Sequence, residues 1–283
     1  MSRHEPVSRY PGEDKVLPET RAVSAIIIPF LLAAFVILFL RSDETERLFA
    51  WPIGPQMNAM MLGATYLAGV LYFTAALFAR RWQQIKFGLI PVASFAALMG
   101  VATILHWPAF NHSHPTTWIW VVLYATTPFL VVGIWIRNTR SARLGPPQPD
   151  DHTLPPPVRL LVGIVGLVGV LASLLLFVTP TLMMEIWPWR LSPLTARVLA
   201  AQFVVFSLFA LAAYLDPRWQ SLRYVLRAEL AAPLLFLVAM LASWDDFDTG
   251  NPLTWVIAFH VVVVFSIGVP AMYFYMEARG KRK

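Results

Sequence analysis

The sequence predicts an all-α integral membrane protein of eight transmembrane helices, built as two parallel four-helix repeats. Three observations carry this. Of the 283 residues 58% are hydrophobic and only 13% are charged, whereas a soluble domain carries about a quarter charged residues. The chain divides into eight apolar runs, most of them close to the roughly 20 residues needed to cross a bilayer. One stretch also occurs twice: residues 106–118 read HWPAFNHSHPTTW and residues 243–255 read SWDDFDTGNPLTW.

At an offset of 137, Trp107 falls on Trp244, Phe110 on Phe247, Pro115 on Pro252, Thr117 on Thr254 and Trp118 on Trp255. The same offset places Arg81-Trp82-Gln83 on Arg218-Trp219-Gln220, and an offset of 136 places Trp51-Pro52 on Trp187-Pro188. Self-similarity at a fixed offset marks a tandem duplication with its copies in the same order. An even number of helices per copy returns the chain to its starting side. The copies are then parallel repeats about an axis along the membrane normal.

In chain order, residues 1–21 are polar and Pro-containing and read as a cytoplasmic tail. The first membrane repeat covers 22–136, with helices expected at 22–40, 57–79, 87–106 and 116–136. The opening run is too long for a signal-peptide core, and Arg41-Ser42-Asp43-Glu44 follows it instead of a cleavage site, so it reads as a retained helix. Pro29 within it is tolerable, because neighbouring helices can satisfy a freed carbonyl. Residues 137–157 are rich in Pro and charge and read as an exposed cytoplasmic linker. The second repeat covers 158–276, with helices at 158–178, 196–215, 228–243 and 253–276. The shortest of these is expected to borrow Tyr224–Arg227 for its first turn. Residues 277–283 form a basic cytoplasmic tail.

Eighteen of the 22 Lys and Arg residues fall in the tails, the 137–159 region and the loops 80–86 and 218–227; the other four are Arg41, Arg47, Arg190 and Arg197. The positive-inside rule then places both termini in the cytoplasm. The formal charge of +6 is a topology signal on this reading and not a nucleic-acid footprint. The absence of Cys excludes disulfides, thiolate catalysis and Cys-ligated metal centres.

Chemistry-bearing residues are few. The outer loops carry His106, His112 and His114 in the first repeat and Asp245, Asp246 and Asp248 in the second. Imidazole and carboxylate together are the ligand set for a divalent transition metal, and these six are the candidate metal ligands. The competing reading is ordinary polar residues on outer loops. His260 lies inside the apolar run WVIAFHVVVVF, on the order of 10 Å into the bilayer at 1.5 Å per residue. Intramembrane ionisable residues usually face a partner, so a bond to a carbonyl or hydroxyl on a neighbouring helix is expected there. A haem ligand would want a second axial His at the same depth, and the repeat-mate of His260 is Leu123, so no cofactor is expected. Gln202, whose repeat-mate is Thr65, is expected to make an interhelical hydrogen bond worth on the order of 1 kcal/mol. Glu229 and Asp216, beside Arg227 and Arg218, read as interfacial ion pairs. The many Trp residues near the outer boundary read as an aromatic belt. Gly163, Gly166 and Gly169 read as a close helix–helix approach. Walker A, dinucleotide, HExxH and nucleophile-elbow motifs are all absent.

The stretch Phe49-Ala50-Trp51-Pro52-Ile53-Gly54-Pro55, followed by Leu62-Gly63-Ala64-Thr65-Tyr66, resembles an F-A-W-x-I-x-P…L-G-A-x-Y helix entry of bacterial polytopic membrane proteins. Gln56-Met57-Asn58 departs from the Pro-Leu-Thr of that pattern, as does Pro52. The resemblance implies a bacterial cytoplasmic-membrane protein and carries no activity with it. The expected function is therefore non-enzymatic: binding or passing a small molecule or lipid at the repeat interface near the outer face. Two alternatives are an accessory or assembly subunit of a larger membrane complex and a metal-dependent enzyme using the outer His/Asp residues.

Overall fold

Proline opens five of the long helices, at Pro18, Pro115, Pro156, Pro193 and Pro252. Its missing N–H costs nothing there, since the first-turn donors have no intrahelical partner. The structure is a computed structural model that describes residues 14–142 and 152–281. It contains eight helices long and apolar enough to cross a membrane: α1 (Pro18–Leu40), α2 (Gln56–Phe78), α3 (Lys86–Leu105), α4 (Pro115–Ser141), α5 (Pro156–Val178), α6 (Pro193–Leu215), α7 (Trp219–Ala242) and α8 (Pro252–Gly280). The chain is 83% helical with no strand among the described residues. Residues 1–13 of the expected tail, 143–151 of the expected linker, residues 282–283 and the Glu229 side chain lie outside the described residues.

The helices outrun their apolar stretches at the Arg-rich ends. Helix α1 begins at Pro18 and α4 continues to Ser141. One buried amide ties the two together: Asn138 Oδ1 accepts from Leu17 N (3.0 Å) and Thr20 Oγ1 (2.9 Å), and its Nδ2 donates to Lys15 O at 2.9 Å. Residues 14–20 are accordingly packed structure and not tail. The linker's last residues are packed as well, with His152 and Leu154 buried and His152 Nε2 2.9 Å from Met276 O. Helix α7 starts at Trp219, five residues before Tyr224, where its first turn is expected. Its first turns are amphipathic, burying Trp219, Leu222, Val225 and Leu226 while Arg227 is exposed and the half-buried Arg223 pairs with Glu277 of α8 at 3.0 Å.

Burial separates an inner from an outer ring. The membrane-crossing windows of α2, α3, α6 and α7 are 56, 50, 44 and 47% buried, against 17, 17, 22 and 6% for α1, α4, α5 and α8. Within the halves α1 packs on α2, α3 on α4, α5 on α6 and α7 on α8; across them α3 packs on α6 and α7 on α2. Small residues set the closest approaches. A Cβ on Gly166 of α5 would come within 2.6 Å of Leu211 N on α6, and one on Gly163 within 2.6 Å of the Tyr214 ring. In the other half the glycines sit on α2 instead, Gly63 against Phe39 and Gly69 against Leu31 of α1. The outermost helix, α8, is π-wound from His260 to Gly268.

Candidate functional site

The duplicated stretch folds twice into the same helix entry. A short 3₁₀ turn (Trp107–Ala109, Trp244–Asp246) leads into each loop. Trp118 Nε1 donates to His112 O at 3.0 Å and Trp255 Nε1 to Thr249 O at 3.1 Å. Thr117 Oγ1 donates to Asn111 O at 2.6 Å and Thr254 Oγ1 to Asp248 O at 2.5 Å. The rings pair alike, with Trp107–Trp118 centroids 6.1 Å apart and Trp244–Trp255 6.0 Å. Every one of these pairs keeps the offset of 137.

The six candidate metal ligands are held apart by this same architecture. His114 caps α4, its Nδ1 accepting from Thr116 N at 3.3 Å. His112 lies on the Trp107 ring at 4.5 Å. Asp248 accepts from Gly250 N at 2.9 Å, while Asp245 and Asp246 occupy the short 3₁₀ turn, where burial and the Asp245 charge push the Asp246 carboxyl up. His106 Nε2 stands 2.6 Å from Arg197 Nη1. Burial, then the Arg197 charge, lowers the His106 pKa, so the ring is neutral and accepts from the guanidinium. Among the described residues no three His, Asp or Glu side chains stand close enough to hold a metal ion. The spacing that suggested ligands reflects capping and turn geometry.

The register of the Trp-Pro pairs is also corrected. Trp51, not its neighbour, is the buried ring against Phe110 (5.0 Å), and its counterpart against Phe247 is Trp189 (4.8 Å), with Phe49 and Trp187 beside them. Asn111 N bonds to Ala50 O at 2.8 Å and Asp248 N to Pro188 O at 2.7 Å. The offset before residue 52 is therefore 138 and not 136. The Arg-rich side agrees: Trp82 N donates to Asp14 O (3.1 Å) and Trp219 N to His152 O (2.9 Å).

Among the described residues His260 makes no hydrogen bond to a neighbouring helix. It is exposed on the outward face of α8, edge-on to Phe265 at 4.7 Å. Gln202 does bond across helices, and its partner is its own repeat-mate: Thr65 Oγ1 donates to Gln202 Oε1 at 2.8 Å. Asp216 is gripped by Arg218 through two contacts, Nε–Oδ1 at 2.6 Å and Nη2–Oδ2, and by Lys86 at 3.4 Å. Burial raises its carboxyl, but Arg218 and Lys86 outweigh burial and hold it below the ordinary carboxylate range.

Beside the Thr65–Gln202 contact lies a cavity of about 100 Å³, at mid-length of α2. Its walls come from α1 to α4 and from α6 and α7. They are apolar except for Thr65, Thr127, Tyr72 and the Tyr66–Tyr124 pair, whose hydroxyls are 2.6 Å apart. Tyr72 donates to Ile85 O at 2.6 Å. Sequence reasoning missed the tyrosine pair because nothing in α2 or α4 alone shows that the two hydroxyls meet. Comparison with protein-family models, curated proteins and solved structures finds no match for this chain.

Proposed function

We propose that this is a multi-pass protein of a bacterial cytoplasmic membrane that binds a small, largely apolar molecule or a lipid chain between two parallel four-helix halves. Both ends then lie on the cytoplasmic side, where the Lys and Arg residues concentrate. The constant offset of the helix-entry bonds and the meeting of Thr65 with Gln202 support the two-fold arrangement. The cavity beside that meeting point is the observation that carries the binding reading. It is deeper than the outer loops, and at about 100 Å³ it falls short of the roughly 150 Å³ that takes benzene, a size that suits the end of an apolar chain. Tyr66 and Tyr124, with Thr65 and Thr127, offer polar handles inside an otherwise apolar wall. The protein purified in mild detergent without chelator should carry an organic species detectable by mass spectrometry of its extract. Ala96→Leu, which extends a cavity-lining side chain, should expel it. An extract containing nothing beyond detergent and bulk lipid, unchanged in Ala96→Leu, contradicts this reading.

A second reading, an accessory subunit of a larger membrane complex, is favoured by His260. An ionisable side chain on the exposed face of a membrane helix normally has a partner, and α8 is the least covered helix of the eight. Loss of a copurifying membrane protein in His260→Leu would support it, and the same partner retained in both forms would not.

A further inference from the structure

The Arg-rich end of the α2–α7 contact holds an open pocket of about 470 Å³. Its floor is apolar, formed by Leu71, Ala75 and Phe78 of α2, with Leu71 38% and Phe78 73% exposed. Above it stand Arg80 and Arg227, both exposed and without a carboxylate partner among the described side chains. The Thr74 hydroxyl, also in the wall, makes no hydrogen bond within the described residues. Tyr224 accepts from Gln84 Nε2 at 3.0 Å, which leaves its own proton free to donate. Nearby, Arg21 donates to the last carbonyls of α2, Leu77 O and Ala79 O (2.6 Å to the latter). Arg21 thus offsets part of the negative pole at this helix end.

The other half gives the control. At the offset of 137, Ala79 corresponds to Asp216, Arg80 to Pro217 and Arg227 to Ile90. There Lys86 and Arg218 share Asp216, and their own counterparts Arg223 and Arg81 are acid-paired too, with Glu277 and Asp14; Arg80 and Arg227 are cations that the other half does not have. Here two guanidinium groups face a pocket with no acid supplied by the described side chains.

We infer that the α2–α7 pocket binds a phosphate group carried on an apolar chain, with Arg80 and Arg227 on the phosphate and the chain along Leu71, Ala75 and Phe78. Guanidinium is the side chain best matched to phosphate, because its planar fork of donors pairs bidentately. Free hydroxyls at Thr74 and Tyr224 add donors at the same level. This site is separate from the mid-membrane cavity and does not depend on what that cavity holds.

The test uses the full chain in nanodiscs of phosphatidylcholine doped with phosphatidic acid, read by native mass spectrometry for retained lipid. The wild type should keep phosphatidic acid. Arg80→Gln/Arg227→Gln should lose it by roughly tenfold or more, with thermal stability unchanged because neither arginine has a carboxylate partner among the described side chains. Arg140→Gln/Arg279→Gln removes the same charge from the same end of the molecule, away from the pocket, and should retain the lipid. Equal loss in both pairs would mean general attraction to a basic surface and would overturn the site, as would no loss in either. Millimolar inorganic phosphate should not displace the lipid; displacement would show a site for the free anion and overturn the role given to the chain.

Discussion

The two halves agree at one end of the molecule and disagree at the other. At the helix entries they match bond for bond: Trp118 and Trp255 donate to equivalent carbonyls, as do Thr117 and Thr254. At the Arg-rich junctions they part, with Asp216 neutralising Lys86 and Arg218 in one and Ala79 facing Arg80 and Arg227 in the other. On the duplication reading, the matched entries are what each half needs to enter the bilayer. Arg80 and Arg227 stand where the other half has Pro217 and Ile90, so this junction carries two cations that the scaffold of the other half does without.

This contrast can be broken at four places. The largest effect is expected from Asp216→Asn, which strands two partly buried cations. Breaking a fully buried pair costs about 3–5 kcal/mol; with the side chains about 15–20% exposed, screening reduces the expected loss to on the order of 2 kcal/mol. Thermal unfolding in detergent measures it. Because the Asp216 carboxyl sits below its ordinary range, the stabilisation is fully present above the unfolded carboxylate pKa. It is lost as pH falls through the lower folded value. Wild type and Asp216→Asn should therefore converge in acid and diverge toward neutrality. A gap that widened as pH fell would contradict the assignment.

Next in size is Ala79→Asp, which gives the open junction the acid of its counterpart. It should cut phosphatidic acid retention by roughly tenfold while leaving the unfolding temperature unchanged or higher. The smallest effects belong to the matched entries. Trp118→Phe and Trp255→Phe each remove one exposed hydrogen bond, worth about 0.5 kcal/mol, and the two losses should be equal within error. A loss several times greater in one half would show that the entries are not equivalent.

Much of the fold was legible because a bilayer leaves the chain little choice. Eight apolar runs must be helices, since each backbone group has to be satisfied within its own segment. The ends were not legible, because Asn138 and Thr20 extend helical structure through polar sequence by bonding across the chain. Matching Trp51-Pro52 to Trp187-Pro188 failed because dipeptide identity does not say which ring is buried. Contact with Phe110 and Phe247 does, and it selects Trp51 and Trp189. The bond expected for His260 is not formed among the described residues, since counting residues along a helix does not say which helices lie alongside it. The outer His and Asp residues looked like ligands by type alone. Their backbone turns and caps, visible only in three dimensions, point them apart. The Tyr66–Tyr124 pair and the Arg80–Arg227 pocket each join residues from distant segments, and no local pattern announces either.

Everything above rests on the two halves running parallel, and the cysteine-free chain makes that directly testable. Single cysteines at Ser113 and Thr249 sit on exposed loops of the two duplicated stretches, and cysteines at Arg140 and Arg279 sit at the opposite end. In intact cells with a permeable outer envelope, a membrane-impermeant maleimide should label Ser113→Cys and Thr249→Cys alike, and Arg140→Cys and Arg279→Cys only after lysis. Labelling of Ser113→Cys and Thr249→Cys from opposite sides would make the halves antiparallel and overturn the account.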